Sequence, residues 1–219
     1  MTPEGPGTPP LADVAALPPS GASAWNAANA LTVLRALLVP VLAVVLLHDG
    51  GHRPGWRVVA WAVFAVASFT DRIDGELARR RGLITPFGQV ADPIADKALT
   101  GAALIGLSHL GDLPWWVTIV VLVREVGVTL LRFWVIRHGV IPASRGGKLK
   151  TLLQGLAIGL YILPLTGLLA SGRVVVLVAA VAVTLVTGVD YVARALRLRQ
   201  TSERAALKRA GRRAREDAR

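Results

Sequence analysis

The amino-acid sequence predicts an all-α integral membrane protein with six transmembrane helices and a short N-terminal interfacial helix. Three observations predict it. Hydrophobic residues make up 53% of the 219 positions and the mean hydropathy is +0.52, too apolar for a soluble domain of this length. Apolar runs near the length of a bilayer crossing recur along the chain. Charge crowds into short stretches between those runs, so the formal net charge of +11 is a set of local clusters of the kind that flank a membrane.

Residues 1–24 are rich in Pro and Gly, contain Glu4 and Asp13, and lack the basic start and apolar centre of a signal peptide. They read as a disordered cytoplasmic leader. The membrane domain follows over residues 25–196. Trp25 to Ala30 is short enough to lie in the interface, and the first spanning helix runs from Leu31 to Leu47. The second starts near Val58, stays apolar to Phe69, then turns polar on one side through Asp71, Asp74 and Arg79. The third spans Ile94 to Leu110, the fourth Trp115 to Ile136, the fifth Leu149 to Ala170 and the sixth Val174 to Leu196.

Orientation follows from the loops, because cytoplasmic connections carry the Lys and Arg excess. Arg79, Arg80 and Arg81 lie between helices two and three, and Arg137, Arg145, Lys148 and Lys150 between four and five; the other side has Arg53, Arg57 and Arg173. Both termini are therefore expected in the cytoplasm of a multi-pass plasma-membrane protein, with Trp56, Trp115 and Trp116 as outer interfacial anchors. The basic tail, residues 197–219, is read as a cytoplasmic segment drawn to anionic lipid headgroups. No stacking platform or folded motif accompanies its charge, so no nucleic-acid partner is expected. The chain also lacks the internal repeat of many secondary transporters.

Without cysteine, the chain has no thiol nucleophile and no thiolate metal site. His48, His52, His109 and His138 fall near helix ends and read as interfacial residues. Chemistry is left to the segment TDRIDGELARRRGLITPFGQVADPIADK, Thr70 to Lys97. On a helix Asp71, Asp74 and Gly75 share one face, with Gly75 a notch beside the carboxylates and Arg79 one turn further on. Asp92 and Asp96, four apart, share a face of the next helix. Two carboxylate pairs on adjacent helices can converge, and in a low-dielectric setting a cation must hold them together. Oxygen ligands without His or Cys favour Mg2+ or Mn2+. Plainer readings exist for single residues: Asp92 before Pro93 fits a helix N-cap, and Arg79 to Arg81 fit positive-inside residues. They leave Asp74, Gly75 and Asp96 without a role, although each intramembrane acid costs at least about 2.5 kcal/mol to insert.

The segment resembles, position for position, the signature of the CDP-alcohol phosphotransferase family, D-x-x-D-G-x-x-A-R, eight residues, then G-x-x-x-D-x-x-x-D. Here those positions are Asp71, Asp74, Gly75, Ala78, Arg79, Gly88, Asp92 and Asp96. The resemblance extends from Asn26 along nearly the whole chain. It implies a six-helix membrane enzyme, commonly a homodimer, that moves a phosphatidyl or similar group from a CDP-linked donor to an alcohol with loss of CMP. It further implies that Asp71, Asp74, Asp92 and Asp96 ligate one or two metal ions and that Asp96 takes the proton of the attacking hydroxyl. Gly75, Arg79 and Thr85 are implied contacts to the CDP moiety, and Asn29 and Thr32 to the donor phosphates.

The acceptor is read from DPIADKALTGAALIGLS and from Arg124 to Thr151, which resemble the phosphatidylglycerophosphate synthase branch. The expected substrates are CDP-diacylglycerol and glycerol 3-phosphate. Charge supports a phosphorylated acceptor: Arg124 lies about 14 Å into the membrane from Trp115 at 1.5 Å per residue, where an unpaired cation is costly. Arg124, Arg132, Lys148, Lys150 and Arg194 can surround a phosphate. Alternatively Arg124 pairs with an acid such as Asp190, and the lysines only set topology. A cardiolipin synthase of the same family, with phosphatidylglycerol as acceptor, is the nearest rival. A cation transporter would need a polar route to the outer face, which Val58 to Phe69 and Ala102 to Leu107 hardly provide.

Overall fold

The computed structural model describes the backbone of residues 27–81, 85–135 and 145–217, and side chains within 29–70, at 85 and 88, and within 90–131, 147 and 149–197. The leader, residues 1–24, lies outside them. The described residues form six α-helices: α1 (Ala27–Leu47), α2 (Pro54–Arg81), α3 (Pro86–His109), α4 (Trp115–Val135), α5 (Arg145–Ile162) and α6 (Gly167–Asp217). A one-turn 3-10 segment, His48–Gly51, joins α1 to α2. Two stretches, Asn29–Gly51 and Gly167–Arg197, are long and apolar enough to cross a membrane.

Several boundaries move from their sequence-based positions. Ala27 to Ala30 are the first turn of α1, continuous with the expected first helix rather than a separate interfacial piece. The third helix begins at Pro86, eight residues before Ile94. Thr85 is extended there (φ −112°, ψ 152°), and its hydroxyl accepts from the Gly88 backbone N–H at 3.0 Å. A Thr cap followed by Pro at the first helical position is a strong start signal. Pro93 therefore lies inside α3, which overturns the reading of Asp92 as an N-cap. The fifth helix ends at Ile162 rather than Ala170, because Pro164 follows within two residues and disfavours helix before it. Leu168 to Ala170 belong to α6, whose first residue, Gly167, has φ +61° and which runs through most of the basic tail.

Packing divides the helices into two groups. In one, α1 lies against both α2 and α3; in the other, α6 lies against both α4 and α5. The groups meet where α2 and α3 touch α5 and where α3 touches α4. Their shared core is built from Leu42 and Leu46 of α1, Phe64 of α2, Leu104 and Leu107 of α3, Val117 and Val121 of α4, Ile158 of α5 and Val181 of α6.

The surface inverts the pattern of a soluble protein. Leu37, Val44, Val66, Phe69, Val175 and Val186 are exposed, while Arg35, Arg57, Thr118 and Thr184 are buried. Broad apolar exposure of this kind suits hydrocarbon as the surrounding medium. Several of the buried polar groups find partners inside, while Thr184 Oγ1 has no hydrogen-bond partner among the described residues. Ser108 and Thr118 share a 2.7 Å hydroxyl contact between α3 and α4, which removes two polar groups from an apolar setting.

One end of the bundle is locked by Arg57. Its Nε donates to Ile162 O at 2.8 Å and its Nη2 to Tyr161 O at 2.7 Å. Nη1 stands 2.7 Å from Asp112 Oδ2 as an ion pair. The start of α2, the end of α5 and the α3–α4 turn are held through this one guanidinium, which satisfies carbonyls that α5 leaves open at its last turn.

Candidate active site

The opposite end of the bundle is polar, and the sequence of each buried stripe shows why. On α1 the buried face begins Asn29, Thr32, Arg35 and continues Leu42, Leu46, spacings that keep one helical face inward. On α5 it begins Lys150, Gln154 and continues Ala157, Ile158, Tyr161, Ile162. Both polar halves lie at the helix starts, at the end of the bundle where α2 finishes and α3 begins. The apolar halves build the core, and the polar halves build a site above it.

Hydrogen bonds tie the first turns of α1 and α3 together. The Thr32 hydroxyl donates to Asp92 Oδ1. The Thr85 hydroxyl donates to Asn29 Oδ1 at 2.8 Å while accepting from Gly88 N, so one oxygen serves as donor and acceptor together. Gly88 lies in the angle of this network. A Cβ there would stand 2.9 Å from Asn29 Oδ1, 3.2 Å from Thr85 Oγ1 and 3.8 Å from Asp92 Oδ2. Asn29, Thr32, Thr85, Gly88 and Asp92 thus form one largely buried cluster drawn from α1, α3 and the capping residue just before α3.

Asp96, one turn beyond Asp92, lines a cavity of about 100 Å³ between α2, α3, α4 and α5. Lys150, Gln154 and Glu125 line it from the far side. Lys150 Nζ pairs with Glu125 Oε1, and both side chains are almost wholly buried. Arg124 Nη1 stands 3.4 Å from the same carboxylate oxygen, while its Nη2 donates to Thr187 Oγ1 at 3.1 Å. Isolated cations at this depth would be costly, and a shared carboxylate offsets that cost. Phe64, Ser68 and Gly155 also border a larger apolar groove of about 340 Å³ between α2 and α5. A polar cavity and an apolar groove therefore meet side by side.

The sequence-predicted residues fall into three sets. Asn29, Thr32, Thr85, Asp92 and Asp96 come together at one end of the bundle, and Lys150 faces Asp96 across the cavity. Arg124 is held at Glu125 and Thr187, and Arg194 is half-exposed and bonded to Asp190 at 2.9 Å. Asp190 is thus the partner of Arg194, and the expected Arg124–Asp190 pair is replaced by Arg124–Glu125. The side chains of Asp71, Asp74, Gly75, Arg79, Arg132 and Lys148 lie outside the described residues. Their backbone continues α2, α4 and α5.

Sequence reasoning passed over three buried polar residues here. Arg35 is fully buried two turns beyond Asn29, and Glu125 is the anion to which Arg124 and Lys150 turn. Gln154 is the third. The available signal was the same in each case, a polar residue at core spacing within an apolar run.

Comparison with known proteins bears on this arrangement. The CDP-alcohol phosphatidyltransferase family profile matches residues 25–186. The chain is 61% identical over 181 residues to a probable phosphatidylglycerophosphate synthase of Mycobacterium tuberculosis, covering 81% of this chain and 87% of the relative. It is 36% identical over 149 residues to the CDP-diacylglycerol–glycerol-3-phosphate 3-phosphatidyltransferase of Bacillus subtilis, covering 64% and 77% of the two chains. An enzyme of that same name from Rickettsia typhi is 34% identical over 172 residues, 76% of this chain and 94% of its own. The matched span takes in α1 to α5, both acidic pairs and the polar cavity, and the chain belongs to the CDP-alcohol phosphatidyltransferase family.

Proposed function

We propose that the chain transfers the phosphatidyl group of CDP-diacylglycerol to glycerol 3-phosphate, giving phosphatidylglycerophosphate and CMP. The carrying observation is the cluster that joins Asn29 and Thr32 to Thr85, Gly88 and Asp92, set beside a cavity where Asp96 faces Lys150. The names of the relatives from three bacterial genera agree with this reading.

The family generally uses a divalent metal ion. The donor set fits one: Asp92 and Asp96 share a face of α3, and Asp71 and Asp74 share a face of α2, a helix that packs against both α1 and α3. Oxygen ligands of this kind suit Mg2+ or Mn2+. Bound there, the ion would neutralise charge on the donor diphosphate and on the departing CMP.

The protein groups do the rest. Thr32 fixes the Asp92 carboxylate, and Thr85 fixes the Asn29 amide, before a donor arrives. In this reading Asn29, Thr32 and Thr85, with Gly75 and Arg79 of α2, are the donor contacts, and the apolar groove between α2 and α5 takes an acyl chain. The acceptor hydroxyl oxygen attacks the phosphorus that carries diacylglycerol. The new P–O bond forms as the P–O bond to CMP breaks, CMP leaves with the electron pair, and the hydroxyl proton passes to Asp96. Lys150 faces the acceptor phosphate, with Arg132 and Lys148 as further cations at the same end.

All six helices span the bilayer in this reading. The polar end, with both termini, faces the cytoplasm of the plasma membrane, and the enzyme works as a homodimer. The test supplies purified protein with CDP-diacylglycerol and, separately, glycerol 3-phosphate, inositol phosphate or phosphatidylglycerol. CMP release should occur with glycerol 3-phosphate. Release only with phosphatidylglycerol would instead establish a cardiolipin synthase.

A further inference from the structure

We propose that Gln154 is a specificity-determining residue that recognises the non-reacting, secondary hydroxyl of the acceptor. The inference rests on the reading of the site as a glycerol 3-phosphate phosphatidyltransferase. Gln154 lines the cavity that Asp96 and Lys150 also line. It is 8% exposed, and its Oε1 has no hydrogen-bond partner among the described residues. A buried amide oxygen left unpaired costs about 1–3 kcal/mol, so an orphan of this kind beside a cavity calls for a donor from the ligand.

Register along the helices says which part of the ligand supplies it. α3 and α5 both run inward from the polar end. Asp96 is the eleventh residue of α3, while Lys150 and Gln154 are the sixth and tenth of α5. Asp96 and Gln154 line the same cavity, and Lys150 lies one turn, about 6 Å, nearer the opening than Gln154 on α5. An acceptor with its phosphate toward Lys150 turns its hydroxyl-bearing carbons toward Asp96 and Gln154. Asp96 serves the hydroxyl that reacts. The neighbouring hydroxyl remains, and an amide oxygen accepts from it without competing for the proton in transit.

Glu125 supports this geometry. It pairs with Lys150 Nζ, so that ammonium is engaged by a carboxylate while Gln154 Oε1 has no partner among the described residues. Lys97, Thr100 and Thr151 complete a polar lining, and the apolar groove starts only at Phe64, Ser68 and Gly155. The cavity is therefore matched to a small polyol phosphate.

The test compares glycerol 3-phosphate with 3-hydroxypropyl phosphate, which lacks only the secondary hydroxyl, as acceptors for the full-length enzyme with CDP-diacylglycerol. Wild type should favour glycerol 3-phosphate in kcat/KM by about tenfold or more, because a site built to bond a hydroxyl rejects the analogue without it. Gln154→Leu should reduce that preference to within about twofold. Gln154→Glu, which keeps an accepting oxygen, should retain the preference even as the added charge lowers turnover of both acceptors. If Gln154→Leu fails to insert, Gln154→Met is read the same way. A wild-type enzyme indifferent to the secondary hydroxyl, or an unchanged preference in the Leu or Met variant, overturns the assignment. Turnover of glycerol 3-phosphate by wild type with either of those results leaves the phosphatidyltransferase reading standing, whereas absence of that turnover overturns both.

Discussion

The Thr85 hydroxyl caps α3 at Gly88 N and at the same time donates to Asn29 Oδ1, 2.8 Å away on α1. The start of one helix is thereby fastened to the start of another through a single oxygen. Thr85→Val keeps the shape and removes both bonds. Loss of the cap costs roughly 1 kcal/mol, and stranding a buried acceptor adds about 1–3 kcal/mol. The variant should melt at lower temperature in detergent and show a raised KM for CDP-diacylglycerol. Thr85→Ser should restore both values, and equal behaviour of the Val and Ser variants would sink the two-way role of this hydroxyl.

Gly88 gives a second test, in which two effects oppose. Alanine is favoured over glycine within a helix by up to about 1 kcal/mol, which predicts a more stable protein. The added Cβ, however, meets Asn29 Oδ1 at 2.9 Å in a buried network, and the amide must move. Gly88→Ala should therefore lower kcat/KM between about tenfold and hundredfold through misplacement of the cluster, with the melting temperature changed little. An activity equal to wild type would show that Asn29 shifts at no cost.

Metal dependence is the third. Asp71→Asn or Asp74→Asn removes a ligand charge while lowering the cost of membrane insertion. Each variant should reach the membrane in normal amount and show no turnover. Excess chelator should stop the wild type, and added Mg2+ or Mn2+ should restart it. Full activity in chelator would rule out the metal site.

Arg57 tests the opposite end of the bundle. It holds two α5 carbonyls and Asp112, and hydrogen bonds to charged groups are worth about 1.5–3 kcal/mol each. Asp112 is partly exposed, so its share is the smallest. Arg57→Gln should lower the melting temperature clearly while the folded fraction keeps wild-type kcat and KM, since no part of the site is near. A selective rise in either KM would mean that the two ends are coupled.

Much of this architecture was legible in the sequence because hydrophobic runs and loop charge report directly on helices and their ends. Trp115 starts α4 as expected, and Leu47 ends α1. Errors arose where two signals competed. Asp92–Pro93 and Thr85–Pro86 both look like helix starts, and the apolar run that begins at Ile94 drew the boundary inward although Thr85 is the cap. Around Pro164 the residues on both sides are apolar, so hydropathy ran the fifth helix through a break that backbone chemistry imposes. In the site, Asp92 was singled out by its motif, and Asn29, Thr32 and Thr85 by what the family resemblance implies. Glu125 and Gln154 were not, because their importance lies in which helix faces them, a property of packing that spacing within one segment does not contain.

The division of the helices into two groups carries an evolutionary consequence. Asn29, Thr32, Asp92 and Asp96 belong to α1 and α3, whereas Glu125, Lys150 and Gln154 belong to α4 and α5. In the proposed reaction the donor contacts lie on the first stretch of chain, while the acceptor cavity is shared between Asp96 on that stretch and Glu125, Lys150 and Gln154 on the second. Mutation can redraw the second stretch and recruit a new alcohol while the first conserves the cleavage of the diphosphate. On such a scaffold the alcohol-facing side of the seam can be altered without rebuilding the groups that hold the diphosphate.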